Sequence, residues 1–162
     1  MVRKNPKIYT LGHSNHQLEF FLKLLEDHRI EQLVDVRSAP FSKFSPHFNK
    51  NEIKQSLEER GIVYFYLGNM IGGRPSNDQY YHDGKVIYNL VEKDQKYLEG
   101  INELTELIRD KKTVIMCSEE DPHRCHRHNL ITPTLKKMGF QIYHIRGNGE
   151  FEEIKERQTT LF

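Results

Sequence analysis

Thr113-Val-Ile-Met-Cys-Ser-Glu-Glu-Asp-Pro-His-Arg-Cys-His-Arg127 is the stretch that decides how this chain is read. The apolar run 114–116 ends in Cys117, and Glu119, Glu120 and Asp121 follow. A helix start stands directly behind them, with Asp121 suited to the N-cap and Pro122 to the first helical position. A strand tip that hands straight into a helix is where open α/β domains place their chemistry. Both cysteines of the chain, Cys117 and Cys125, fall inside this stretch. The helix is expected to run over 122–138, broken or kinked near Thr132 because Pro133 removes an internal hydrogen bond.

The segments on either side repeat the alternation. Residues 7–11 (KIYTL), 32–36 (QLVDV), 62–67 and 141–145 (QIYHI) read as strands. Between them, 16–28, 50–59 and 97–109 carry apolar residues at helical spacing, as Leu18, Phe21, Leu22, Leu24 and Leu25 do in the first. Gly61 and Gly139 stand where left-handed helix ends are expected. Residues 41–49 lack a period and read as an ordered loop. The crossovers are too long for hairpins, which predicts an α/β fold: a single three-layer domain over 1–146. Its sheet is mainly parallel, of about five strands, with helices on both faces. Residues 68–96, punctuated by Gly68, Gly72, Gly73, Pro75 and Gly84, form a lid-like excursion, and 147–162 a polar tail.

Composition narrows the function classes. The chain has 162 residues, enough for one domain that buries about two-thirds of its unfolded surface. Lys and Arg number 24 against 23 Asp and Glu, so no overall field recruits nucleic acid or a membrane. No apolar run approaches the roughly 20 residues of a spanning helix. Residues 1–6 lack the apolar core of a signal peptide, and two cysteines without one point to reduced thiols in the cytoplasm.

Right-handed crossovers bring every parallel strand's C-terminal end to one edge. The residues expected there are His13 and Ser14, Asp35 to Ser38, Gly68 and Asn69, Cys117 to Glu119, and Arg146. The leading expectation is an enzyme with a Cys-centred pocket acting on a small anionic or nucleotide-like substrate, by transfer or hydrolysis. Cys117 or Cys125 is then a nucleophile or redox thiol, activated at the helix start, and His13 or His126 handles the proton. Glu119 and Asp35 are the carboxylates available for proton transfer. Ser14, Arg37, Ser38, Arg74 and Arg127 are candidates to bind the substrate, although Asp35 and Arg37, two apart on one strand face, also suit a mutual ion pair. The spacing from Cys117 to Arg124 is one residue longer than the loop of Cys-dependent phosphatases, and three acidic residues within it would repel a phosphate.

Two further classes compete. One is a nucleic-acid-associated module, with Arg37, Lys43, Lys50, Lys54 and Arg74 as its basic strip. Its C-terminal Gln158, Leu161 and Phe162 are spaced like the short peptides that dock DNA sliding clamps. The other is a thiol redox or metal-binding protein. Cys117, Cys125, His126 and His13 are ligands enough for zinc, but without a regular Cys-x-x-Cys pairing no metal is assigned and the cofactor stays open.

The motifs also add up to a resemblance. Thr10-Leu11-Gly12-His13-Ser14, Asp35-Val36-Arg37-Ser38-Ala39-Pro40, Phe48-Asn49, Gly61-Ile62-Val63-Tyr64, Leu67-Gly68, Gly72-Gly73 and Cys117-Ser118-Glu119 through Cys125-His126-Arg127 occur in order. Together they resemble the bacterial and archaeal family known as domain of unknown function 488, over about residues 7 to 146. The resemblance implies an α/β domain with a shared polar pocket at His13, Ser14, Asp35, Arg37, Ser38, Cys117, Glu119, Cys125, His126 and Arg127. It implies no particular reaction.

Overall fold

The computed structural model describes residues 6–154. Strands β1 (Lys7–Gly12), β2 (Gln32–Asp35) and β3 (Val63–Tyr66) are linked by helices α1 (Leu18–Asp27) and α2 (Lys50–Glu59). The excursion follows, with α3 (Gly68–Ile71), the two-residue strands β4 (Tyr81–His82) and β5 (Lys85–Val86), and α4 (Tyr88–Val91). Helix α5 (Gln95–Ile108) leads to β6 (Thr113–Cys117), and α6 (Thr132–Lys137) leads to β7 (Gln141–Ile145) and β8 (Phe151–Ile154).

The main sheet has the order β3-β2-β6-β1-β7-β8, parallel throughout except for β8, which pairs antiparallel with β7. The chain steps from β1 towards β3, then reverses through β6 to β7. With right-handed crossovers, that reversal assigns the helices to opposite faces. Alternation within the strands matches this. Leu11, Leu33, Val114 and Met116 meet Phe21, Leu25, Ile53 and Leu57 of α1 and α2 on one face. Ile8, Val34 and Ile115 meet Tyr97, Ile101 and Leu104 of α5 and Leu135 of α6 on the other. Among the described residues, no helix is long and apolar enough to cross a membrane.

Three features depart from the sequence reading. The sheet has six strands, because Phe151–Ile154, inside the stretch read as polar tail, pairs with β7. Its burial alternates between exposed and half-buried, as an edge strand with one covered face requires, and its two glutamates hid that pattern.

The excursion is ordered rather than bare loop. Its hairpin turns at Asp83 (φ 51°) and Gly84 (φ 76°), the left-handed pair that tight hairpins demand. Tyr80 donates to Asp94 Oδ1 at 2.5 Å and Tyr81 to the Pro75 carbonyl at 2.7 Å.

The helix expected over 122–138 is in pieces. Pro122–Arg124 is a single 3₁₀ turn with the Asp121 carboxylate accepting from His123 N at 3.0 Å, so the N-cap is real. Cys125 is extended at φ −126° and ψ 148°, Arg127–Ile131 is a π-helical turn, and only then does α6 begin. The π-helical turn gives way to α6 at Thr132, one residue before Pro133, where the break is expected. Thr132 binds the Arg127 carbonyl twice, through its backbone N–H and through Oγ1 at 2.5 Å. Cys125 is thus the extended residue that opens the helical run from His126, its carbonyl accepting from Asn129 N at 3.1 Å.

Candidate active site

The tips of β1, β2 and β6 are knitted beyond the sheet. His13 N donates to the Cys117 carbonyl at 2.9 Å, Ser14 N to Ser118 at 2.8 Å and Val36 N to Met116 at 3.0 Å. Gly12 makes this possible: a Cβ there would overlap the Glu119 carbonyl and lie 2.7 Å from Arg127 Nη1. Ser14 then turns the chain away at φ 47°.

A pocket of about 280 Å³ opens at this edge. Its walls include Cys117, Ser118 and Glu119 from the tip of β6, Arg124, Cys125 and His126 from the turn behind it, Arg37 and Ser38 from the segment after β2, and Gly73, Arg74 and Tyr88 from the excursion. Two of the glycines are matters of space, since a Cβ on Gly73 would sit 2.7 Å from the His126 ring and one on Gly72 would overlap Ser38 Oγ. Arg74 is held by its backbone, whose N–H donates to Ser38 Oγ at 2.9 Å. Its exposed guanidinium forms no ion pair among the described residues, while Arg124 Nε lies 3.8 Å from Asp121.

His126 is half-buried and has one fixed tautomer. Its Nε2–H donates to the Val36 carbonyl at 2.9 Å, which leaves the Nδ1 lone pair 3.6 Å from Cys125 Sγ. Burial, with Arg127 nearby, lowers its pKa to about 4, so the ring is neutral at pH 7. The sulfurs of Cys117 and Cys125 meet as a pair, their Cα atoms 7.5 Å apart.

Beneath the pocket lies a buried polar core. Asp35 accepts from Arg37 Nε at 2.9 Å, Nη2 at 2.8 Å and the backbone N at 3.1 Å, and from Tyr64 Oη at 2.7 Å. Burial, and the carboxylate beside it, push the Tyr64 hydroxyl well above the usual phenol range. Arg37 Nη1 donates to His13 Nε2 at 3.2 Å, and His13 Nδ1–H donates to the Ser14 carbonyl at 2.7 Å. Burial holds His13 down to about 4.

The candidate residues therefore separate into two sets. Cys117, Cys125, His126, Glu119, Ser38, Arg37 and Arg74 surround one cavity. His13, Asp35 and Arg127 lie under it, buried, and Ser14 stands beside it with Oγ 3.4 Å from Asn15 Oδ1. Arg37 touches the cavity but its guanidinium is engaged by Asp35 and His13, so the basic strip proposed for nucleic acid loses that member. Both ring nitrogens of His13 are used within the fold, and the described residues contain no group of three or more His, Cys, Asp or Glu that could hold a metal ion. Arg124, Ser118 and Tyr88 are pocket residues that were not among the candidates. Arg124 and Ser118 stood in the same motif, whereas Tyr88 had no signal beyond being a tyrosine in the excursion. Gln158, Leu161 and Phe162 lie outside the described residues.

This is an α/β protein of reversed winding whose strand tips enclose a pocket of cysteine, histidine and arginine. The family described as Domain of unknown function DUF488 matches residues 17–132, more than half of the chain, and the protein belongs to it. No curated protein and no solved structure matches the chain.

Proposed function

We propose that the protein is an enzyme of group transfer or hydrolysis whose nucleophile is Cys125 and whose substrate carries a small anionic group. The observation that carries this reading is the oriented imidazole: with Nε2–H tied to Val36, the His126 lone pair at Nδ1 faces Cys125 Sγ and no other described hydrogen-bond partner. A thiol in that position gives up its proton to Nδ1 as the sulfur attacks, and His126 returns the proton to the leaving group. Arg74 and Arg124 hold the anion, against the single carboxylate of Glu119 on the pocket wall. The excursion supplies one side of the cavity through Gly73, Arg74 and Tyr88. A nucleotide-like substrate is favoured by the loop after Pro40, where Phe41 is 65% and Phe44 97% exposed on either side of Lys43, the combination on which bases stack.

Alkylation of the Cys117→Ser chain, which leaves Cys125 as its single thiol, tests the proposal. Cys125 is expected to react about tenfold faster than a small free thiol at pH 7, with anionic iodoacetate gaining over neutral iodoacetamide. His126→Asn should remove the rate advantage, and Arg74→Gln with Arg124→Gln the preference for the anion. Inorganic phosphate should protect, and a nucleoside monophosphate should protect at lower concentration. A thiol no faster than a free one, indifferent to reagent charge, would overturn the reading.

A further inference from the structure

Arg127 has no exposed surface, yet it forms no ion pair among the described residues. Nη1 donates to the Glu119 carbonyl at 2.6 Å and to Cys117 Sγ at 2.9 Å, and Nη2 donates to the Glu120 carbonyl at 2.9 Å. Nε is buried without a partner. The Glu120 carboxylate is turned to Arg146, which holds both its oxygens at 3.1 Å, and to Gly147 N at 2.9 Å. A guanidinium taken out of water needs a compensating charge, and neutral carbonyls do not supply one. Of the groups Arg127 touches, Cys117 alone can become an anion. The π-helical turn aims the side chain back at that sulfur, and the missing Cβ of Gly12 leaves room for its Nη1. Besides the two cysteines, the charged or titratable side chains on this cavity are Arg37, Arg74, Tyr88, Glu119, Arg124 and His126, the charged ones predominantly cationic.

We propose that Cys117 and Cys125 form a thiol–disulfide couple in which Arg127 holds reduced Cys117 as a thiolate, and that the couple exchanges with a low-molecular-weight disulfide. The Cys117 thiolate attacks one sulfur of the small disulfide, forms a mixed disulfide and releases one small thiolate. Cys125 then loses its proton and attacks Cys117 Sγ, its extended backbone moving in from a Cα separation of 7.5 Å to close the Cys117–Cys125 bond; the second small thiolate is expelled, and each small thiolate takes up a proton. Two protein thiols are oxidised by two electrons and one disulfide is reduced to two thiols. The reverse sequence reopens the pair. Since Cys125 is consumed in the closed state, oxidation switches off the proposed activity. That regulatory consequence rests on the function proposed above; the couple itself does not.

The thiolate absorbance of the Cys125→Ser chain, followed against pH, is the direct test. It should persist below pH 6, whereas a thiol with the ordinary value of about 8.5 loses most of it by pH 7. Arg127→Met should move the midpoint up by at least one pH unit, about tenfold in thiolate fraction. Should that variant fail to fold, a second measurement stands without it. Cys125→Ser exposed to hydroxyethyl disulfide at pH 6 should accumulate the mixed adduct on Cys117, and the reduced parent chain should instead lose two hydrogens in mass. Absorbance lost by pH 7, or no adduct and no mass change, would refute the couple. The Cys117→Ser alkylation assay would be untouched by that failure, so the two proposals fall separately.

Discussion

Replacing Asp35 with Ala is expected to cost about 3–5 kcal/mol of stability, the range for removing one partner of a buried ion pair. Asp35 is fully buried and Arg37 is 4% exposed. The carboxylate accepts two guanidinium N–H bonds, the Arg37 backbone N–H and the Tyr64 hydroxyl. Its loss leaves a buried cation and a phenol unpaired at once. Asp35→Asn keeps the volume but not the charge, and should fall in the same range. Asp35→Leu combined with Arg37→Met should recover much of the loss, because no charge is then stranded. Urea unfolding at fixed pH measures all three. A loss below about 1 kcal/mol in Asp35→Ala would mean the pair is worth no more than an exposed one.

Acidification is the second large effect. His13 is lowered to about 4 and His144 to about 3, both chiefly by burial, and His126 to about 4 for the same reason. His144 is pinned between Thr10 Oγ1 at 2.5 Å and His128 Nδ1 at 3.0 Å. An unfolded chain binds protons on these rings near pH 6.5, whereas the folded chain does so only nearer pH 4. Stability is therefore complete above about pH 6.5 and declines as pH falls towards 4. A tenfold change in proton affinity between the two states is worth about 1.4 kcal/mol, so His13 and His144 together imply a loss of at least a few kcal/mol across that window. Glu120, held by Arg146 down to about 2, contributes stability above its unfolded value of about 4.5 that is lost as pH falls from there towards 2. Urea midpoints at pH 7 and pH 4.5 decide the matter, and a midpoint that is level or higher at pH 4.5 would contradict the burial argument. His144→Gln should flatten the slope.

Much of the architecture could be read from local pattern. The buried run of β6 and the period of α1 need no tertiary knowledge, and the bounds of α2 and β7 agree with the sequence reading. The convergence of His13, Asp35 and Cys117 at one edge followed from parallel strands alone. What could not be read depends on distant partners. Arg37 suited either an ion pair or an anion, and burial beside Tyr64 and His13 decided for the pair. Arg127 looked like a pocket cation, but the π-helical turn carries it under the β6 tip, and nothing in the 122–138 segment signals that register. The extended backbone at Cys125 was masked by a good N-cap at Asp121, which begins a turn and not a helix. Phe151–Ile154 is short and half charged, and becomes a strand because β7 offers it an edge.

We propose that the cysteine-bearing pocket at the strand tips receives an anionic group between Arg74 and Arg124. A crystal structure of the reduced chain grown with inorganic phosphate tests it most directly. The ion is expected in that cavity, bonded to both guanidinium groups and within reach of Cys125 Sγ. An ordered phosphate elsewhere on the molecule, with only water between Arg74 and Arg124, would contradict it.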